Sequence, residues 1–487
     1  MDTGEFPGYE FEVPRGPRRA VGHDSLPEPR YVPQHAHQSR SPVLAAGSGV
    51  LAVMRNRNWL LGLAMPILAA VAVGVAAVVI SGGSGGSGAA PPVLAAGFPP
   101  ARLAGADFTG TASARVVLAA VGASGGTEVA VGGSDGGPAL WVSADGGTTW
   151  SRAALSGQQP LTRAGTGQLA AVAHGAAGWL AVGTTLAGAG GPLVATSSDG
   201  RRWTVTGTLA GPTEATAVAS AVAAGRGGYV IVGHRRAGPD GAAVAAAWYA
   251  PGLAGWRGAV IAGPSAANGS AASTPAAGAP ASDEEMNAVT ATAGGFTAVG
   301  ASGTRPAAWL SAAGQRWRQV PLPMPDGAAR AALDYVAADG TAIVAAGTEF
   351  TAEGASRPFT EVSADAGATW AAVQLPVPAI GPGTGTTVTA LTAAGHGFTA
   401  TGTYVTKAGP EVVVWTLPPG TAVTSGSGWG AATPQGTGLA SASTENAITA
   451  LTADGVTLTG AGFTAALTAS GTPGAQQPTL WQSPIRY

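Results

Sequence analysis

Ser143-Ala-Asp145-Gly-Gly147-Thr-Thr149-Trp150, Ser197-Ser-Asp199-Gly-Arg-Arg-Trp203 and Ser363-Ala-Asp365-Ala-Gly367-Ala-Thr369-Trp370 are three spellings of one phrase, set far apart in a 487-residue chain. An Asp at the head of a tight turn accepts hydrogen bonds from the backbone N–H groups just ahead of it. The glycines supply left-handed conformations at no steric cost. The Trp returns on the next strand and buries a large ring over the hairpin. One Ser-Ala-Asp-Gly-Gly is an ordinary surface turn. Two full copies and a shortened one, each closing on Trp, make a repeat.

The rest of the repeat follows along residues 93–487. Each unit opens with an apolar run, at 115–122, 168–174, 215–223, 286–293, 331–338, 387–394 and 445–453. A second run closes on a glycine, at Gly132, Gly183, Gly233, Gly300, Gly347, Gly402 and, in the phrase Leu458-Thr-Gly460, at Gly460. Trp150, Trp203, Trp256, Trp317, Trp370 and Trp429 close the hairpins, with Trp141, Trp248, Trp309, Trp415 and Trp481 one strand earlier. Only Trp59 and Trp179 of the 13 tryptophans fall outside this scheme. Units of this size suit four-stranded propeller blades. The seventh unit stops before a fourth strand, and an open outer edge invites aggregation. The segment Leu94 to Phe108 is the expected closing strand.

The S-x-D-x-G-x-T-W pattern resembles the Asp-box (BNR) repeat, and the chain is similar to the Asp-box β-propeller proteins. The resemblance implies an all-β fold of seven blades (six to eight on the same count). The box residues Ser143, Asp145, Gly147, Trp150, Ser197, Asp199, Trp203, Ser363, Asp365, Gly367 and Trp370 then serve as turn devices. Ser311-Ala-Ala-Gly-Gln-Arg-Trp317 keeps the frame of the second copy with Ala313 in place of the aspartate. The third unit keeps only Trp248 and Trp256, and the sixth makes a longer excursion to Trp429. Such turns must hold by other means.

Only 10% of the chain is charged, glycine is abundant, and there are no cysteines. That composition suits strands and tight turns, and excludes disulfides and thiolate chemistry. From Trp59 to Ile80 there are 22 residues without a charge, long enough for a span of about 33 Å. Seven arginines lie between Pro14 and Asn58 against Asp24 and Glu28, and the far flank, a Gly/Ser run, carries no charge. Positive-inside orientation puts the N-terminus in the cytoplasm. The expected organisation is a disordered cytoplasmic tail at 1–58, a transmembrane helix at 59–80, a linker at 81–92 and an extracytoplasmic propeller at 93–487. His23, His35 and His37 read as part of the solvated tail. Residues 264–285, ending Asp283-Glu284-Glu285, read as a solvated loop between the third and fourth units.

Sialidases share the resemblance, which raises catalysis as an alternative. In that family the active face is built by loops between second and third strands, around the channel. Those loops here offer Asp135, His234, Arg235, Arg236, Arg305, Glu349, Arg357 and Tyr404, with arginines from three successive units as an anion-binding cluster. The family's Arg-Ile-Pro phrase is missing, and no spacing pairs two carboxylates for glycoside hydrolysis. His174, His234 and His396 fall at non-equivalent points. No nucleotide loop or HExxH motif occurs. Residues 93–487 carry 17 Lys and Arg against 20 Asp and Glu, which leaves no electrostatic footprint for nucleic acid. No catalytic residues, metal or cofactor are expected. The favoured reading is a non-catalytic protein-binding or assembly scaffold at the bacterial cell surface, akin to the photosystem assembly factor type of propeller. Its partner would be an envelope protein. The alternative is a glycan-binding protein or glycoside hydrolase acting on extracellular polysaccharide.

Overall fold

The computed structural model describes residues 100–103, 116–134, 136–157, 167–185, 191–207, 209, 217–236, 241–263, 283–376, 385–406, 409–432, 439, 444–467 and 473–485. The expected tail, span and linker lie outside these residues. No helix among the described residues is long and apolar enough to cross a membrane.

Seven antiparallel blades make up the fold. Their first strands are Val116–Ser124, Gly167–Gly175, Ala217–Gly225, Glu284–Thr292, Ala328–Asp339, Thr386–Ala394 and Thr444–Ala453. These match the apolar runs of the sequence to within a few residues. Each blade continues into a second and a third strand, and then a short outer strand.

The glycine of each second strand has a steric cause. Opposite it, the first strand carries a β-bulge, as between Leu118 and Ala120 in blade 1. The bulge turns a carbonyl inward. A Cβ on Gly132 would lie 1.8 Å from the Val117 oxygen, and one on Gly347 1.9 Å from that of Ala332. The same close approach recurs at Gly183, Gly233, Gly300, Gly402 and Gly462. In blade 7 the repeated glycine is therefore Gly462, which pairs with Ile448 at the bulge, and not Gly460. Leu458-Thr-Gly460 mimics the phrase two residues early, because the strand alternation places Gly460 on the same face.

Ring closure follows the expected route. Pro100 and Ala101 pair antiparallel with Trp481 and Leu480, completing blade 7. Arg102 and Leu103 then pair parallel with Thr149 and Trp150 of blade 1. Two other straps repeat this geometry. Ala154–Gly157 leaves blade 1 to lie parallel to the outer strand of blade 2, and Val260–Ala262 links blade 3 to blade 4. The seam between blades 7 and 1 also carries side-chain bonds. Thr449 Oγ1 donates to the Leu118 carbonyl at 3.2 Å, and Thr459 Oγ1 to Glu128 Oε1 at 3.0 Å. Gln482 Nε2 donates to the Gly146 carbonyl.

The acidic run is not a solvated loop. Glu284 and Glu285 begin the first strand of blade 4, and Glu285 Oε1 lies 3.3 Å from Arg236 Nη2 of blade 3. Asp283 Oδ1 accepts the Ala243 N–H at 2.8 Å. Pairing with an arginine across the interface made burial of this carboxylate affordable.

Replacing Gly347 with Ala drives a methyl into a backbone carbonyl. We expect a loss of about 3 kcal/mol or more in urea unfolding. Gly258→Ala, where a Cβ meets nothing within 4 Å, should stay within about 0.5 kcal/mol of the parent.

Candidate functional site

The strand directions separate two ends of the ring. Hairpins between second and third strands crowd one end, and the Ser-x-Asp turns crowd the other.

At the turn end the three aspartates act alike. Asp145 Oδ1 accepts the Thr149 N–H at 2.9 Å, and Oδ2 accepts the Thr149 hydroxyl at 2.6 Å. Asp365 repeats both bonds with Thr369. In the shortened copy Asp199 Oδ1 accepts the N–H groups of Arg201 and Arg202 at 2.8 and 2.9 Å. All three carboxyls are lowered to about 2, chiefly by the Thr149 hydroxyl, the Arg202 N–H and the Thr369 hydroxyl respectively. A second device needs no aspartate. Ser143 Oγ accepts the Gly147 N–H, and the Trp150 indole N–H donates to the Gly147 carbonyl at 2.9 Å. The aspartate-free turn of blade 4 keeps both bonds, Gly314 N–H to Ser311 Oγ at 2.8 Å and Trp317 Nε1–H to the Gly314 carbonyl at 2.9 Å. Serine and indole therefore hold that turn.

At the hairpin end the expected cluster divides by burial. Arg235, Arg305 and Arg357 are exposed on blades 3, 4 and 5. Arg236 points the other way along its strand and pairs with Glu285. His234 and Tyr404 are buried, Tyr404 in a cluster with Val388, Val413 and Trp415. Glu349 is fully buried and accepts a bond from Gln374 Nε2 at 3.1 Å. Arg235, Glu349 and Tyr404 stand two residues beyond the repeated glycine of their blades, so the fold makes them equivalent. Glu349 and Arg357 are direct cross-strand partners. Asp135 lies outside the described residues. Among the described residues no group of three or more His, Asp or Glu side chains could hold a metal ion.

The third strands show what a linear reading missed. Counted from the glycine pairing, Trp141, Trp248, Trp309, Trp415 and Trp481 occupy one register position. Blade 2 has Ala195 there, paired with Ala181. Trp179, two residues before Ala181 and on the same face, supplies the bulk, which explains the tryptophan that fitted no repeat. Blade 5 has Glu361. Its carboxyl is fully buried, and neither oxygen has a hydrogen-bond partner among the described residues. Burial pushes it up to about 8. Glu128, buried at the closing seam, is raised to about 7, by desolvation first and despite its bond from Thr459. Aligning the units on their glycines marks Glu361 as the odd residue in a column of tryptophans.

No protein-family model matches the chain, and no curated protein matches it. Solved structures do resemble it. YCF48 bound to D1 peptide is 14% identical, covering 76% of this chain and 94% of that one, with a TM-score of 0.41. Trypanosoma rangeli sialidase in complex with the inhibitor DANA is 11% identical over 76% of this chain and 55% of that one, with a TM-score of 0.37. Aleuria aurantia lectin is 13% identical over 68% and 98%, also with a TM-score of 0.37. The likeness is one of propeller fold.

Protonation of Glu361 couples stability to pH. Its folded value lies above the ordinary 4.5, so the stability it allows is present below pH 4.5 and lost as pH rises to about 8. The turn aspartates run oppositely, contributing above 3.8 and losing that as pH falls to about 2. Melting temperature should therefore decline from about pH 5 to 8. Glu361→Gln should flatten that decline, leaving a shallower slope from Glu128, raised to about 7, and from Glu284 and Glu445, which burial also raises. Thermal unfolding of both proteins across this range checks it.

Proposed function

We propose that this chain is a membrane-anchored Asp-box propeller that works without catalysis, as a docking or assembly scaffold at the bacterial cell surface. Residues 1–58 form its cytoplasmic tail, 59–80 its span and 81–92 a tether, with the propeller outside. The arginine-rich inner flank and the uncharged outer flank support that orientation.

One observation carries the function. Three groups of the expected cluster with catalytic chemistry, His234, Glu349 and Tyr404, are buried in blade packing, whereas the arginines at 235, 305 and 357 are exposed, Arg357 beside the exposed Glu353 carboxylate. Glycoside hydrolysis asks for two carboxyls about 5–10 Å apart across an open site. Glu349, enclosed and bonded to Gln374, suits a packing role instead. Exposed guanidinium groups on successive blades suit recognition of carboxylates on a partner, since each offers a planar fork of donors.

The test is crosslinking on intact cells, with mass spectrometry of what co-purifies with the tagged full-length protein. One dominant envelope protein is expected. Its recovery should fall about tenfold in the triple variant Arg235→Ala, Arg305→Ala, Arg357→Ala. Recovery of glycan fragments alone would replace this reading with a lectin or hydrolase.

A further inference from the structure

At the opposite end of the ring, the turn of blade 4 is a Ser-x-Asp turn without its aspartate. We propose that it is a receptor for a carboxylate carried on an apolar group, which takes the place of the missing side chain.

Blade 2 supplies the template. There Asp199 accepts the N–H groups of Arg201 and Arg202, and its Oδ2 lies 3.5 Å from the Arg202 guanidinium Nε. Blade 4 has Ala313, Gln315 and Arg316 at the corresponding positions. The backbone frame is held the same way in both, by Ser311 and Trp317 as by Ser197 and Trp203. The neighbouring strap also docks alike, with Ala154 N–H on the Arg201 carbonyl and Val260 N–H on the Gln315 carbonyl, both at 2.9 Å. The matched frame therefore places the Gln315 and Arg316 N–H groups as Arg201 and Arg202 place theirs, around a position where Ala313 offers only a methyl, and Arg316 supplies a guanidinium in the same turn. Those are the donors a carboxylate needs.

Ser311, Ala312 and Arg316, from the same turn, line a cavity of about 260 Å³ between blades 4 and 5. Phe296 and Leu310 give it apolar walls, and Arg316 and Arg318 add positive charge. Thr297 also lines it, and its buried Oγ1 has no hydrogen-bond partner among the described residues. Blade 5 contributes Ala366, held at φ 57 where blade 1 uses Gly146 at φ 65. A methyl thus faces the cavity at the cost of a left-handed alanine. Apolar walls with a few convergent polar groups are the make-up of a ligand site. The ligand chemistry is a carboxylate next to an aromatic or branched apolar body, borne by a free small acid or by the C-terminus of a peptide. The site is independent of the exposed arginines at the hairpin end.

Calorimetric titration of the full-length protein with N-acetylphenylalanine, its amide, and a peptide ending in phenylalanine with free or amidated C-terminus tests this. The free acids should bind and the amides should not. Arg316→Ala should weaken binding about tenfold or more. Ala313→Asp should abolish it by supplying the carboxylate in place, without lowering the melting temperature. Arg316→Gln repeats the loss without adding a carboxylate, should the aspartate variant fold poorly. Tighter binding of the peptide than of the small acid assigns the site to a chain terminus, and the reverse to a free acid. Equal binding of acid and amide, parental affinity in a folded Ala313→Asp protein, or no heat at about 10 mM ligand overturns the proposal.

Discussion

At seven places round the ring, a second-strand glycine approaches the carbonyl of a bulged first strand so closely that no side chain fits between them. Much of the inner architecture depends on that approach. The bulge frees one residue of each first strand from regular pairing and aims it at the next blade. Asn287 Nδ2 thereby reaches the Leu333 carbonyl at 3.0 Å, and Thr389 Oγ1 reaches that of Ile448 at 2.6 Å. Thr449 makes the same bond across the closing seam. The glycine thus allows the bulge, and the bulge links neighbouring blades next to the channel.

Further out, interfaces between blades are filled by large side chains in a fixed column. Burying such a side chain is worth about 1.5–3 kcal/mol, so a blade that lacks one must compensate. Blade 2 does so by moving its indole to Trp179. Blade 5 does not, and Glu361 leaves a carboxyl in the packing without a hydrogen-bond partner among the described residues. The same interface holds the cavity beside the aspartate-free turn of blade 4. Two departures from the repeat therefore fall at one interface. A blade-to-blade contact that served only stability would be expected to keep the pattern its neighbours keep.

The two ends of the ring differ in what they offer. The turn end is built from hydrogen bonds that close on themselves, with aspartates satisfied by threonine or backbone donors. Blade 4 has Ala313 where those aspartates stand, and holds its turn by Ser311 and Trp317. The hairpin end exposes guanidinium groups and the Glu353 carboxylate, and buries Glu349, His234 and Tyr404.

The turn phrases, the apolar runs and the returning glycines were readable in the chain itself, because each is a local requirement. A tight turn needs a donor–acceptor match within a few residues, and strand alternation is written in neighbours. Blade number and the closing strand followed from counting those units. Burial was different. His234, Glu349 and Tyr404 fall in the right hairpins by sequence, yet whether a side chain meets solvent depends on the face it shares with the adjacent blade. Gly460 and Gly462 are alike as letters, and only pairing with the bulge at Ile448 distinguishes them. The acidic run reads as solvated by its letters, whereas Glu285 pairs with Arg236 of another blade. Sequence by itself determined the repeat and its turns, since those interactions are local. Tertiary structure alone decided which charges are paired, buried or left open, since their partners lie on other blades.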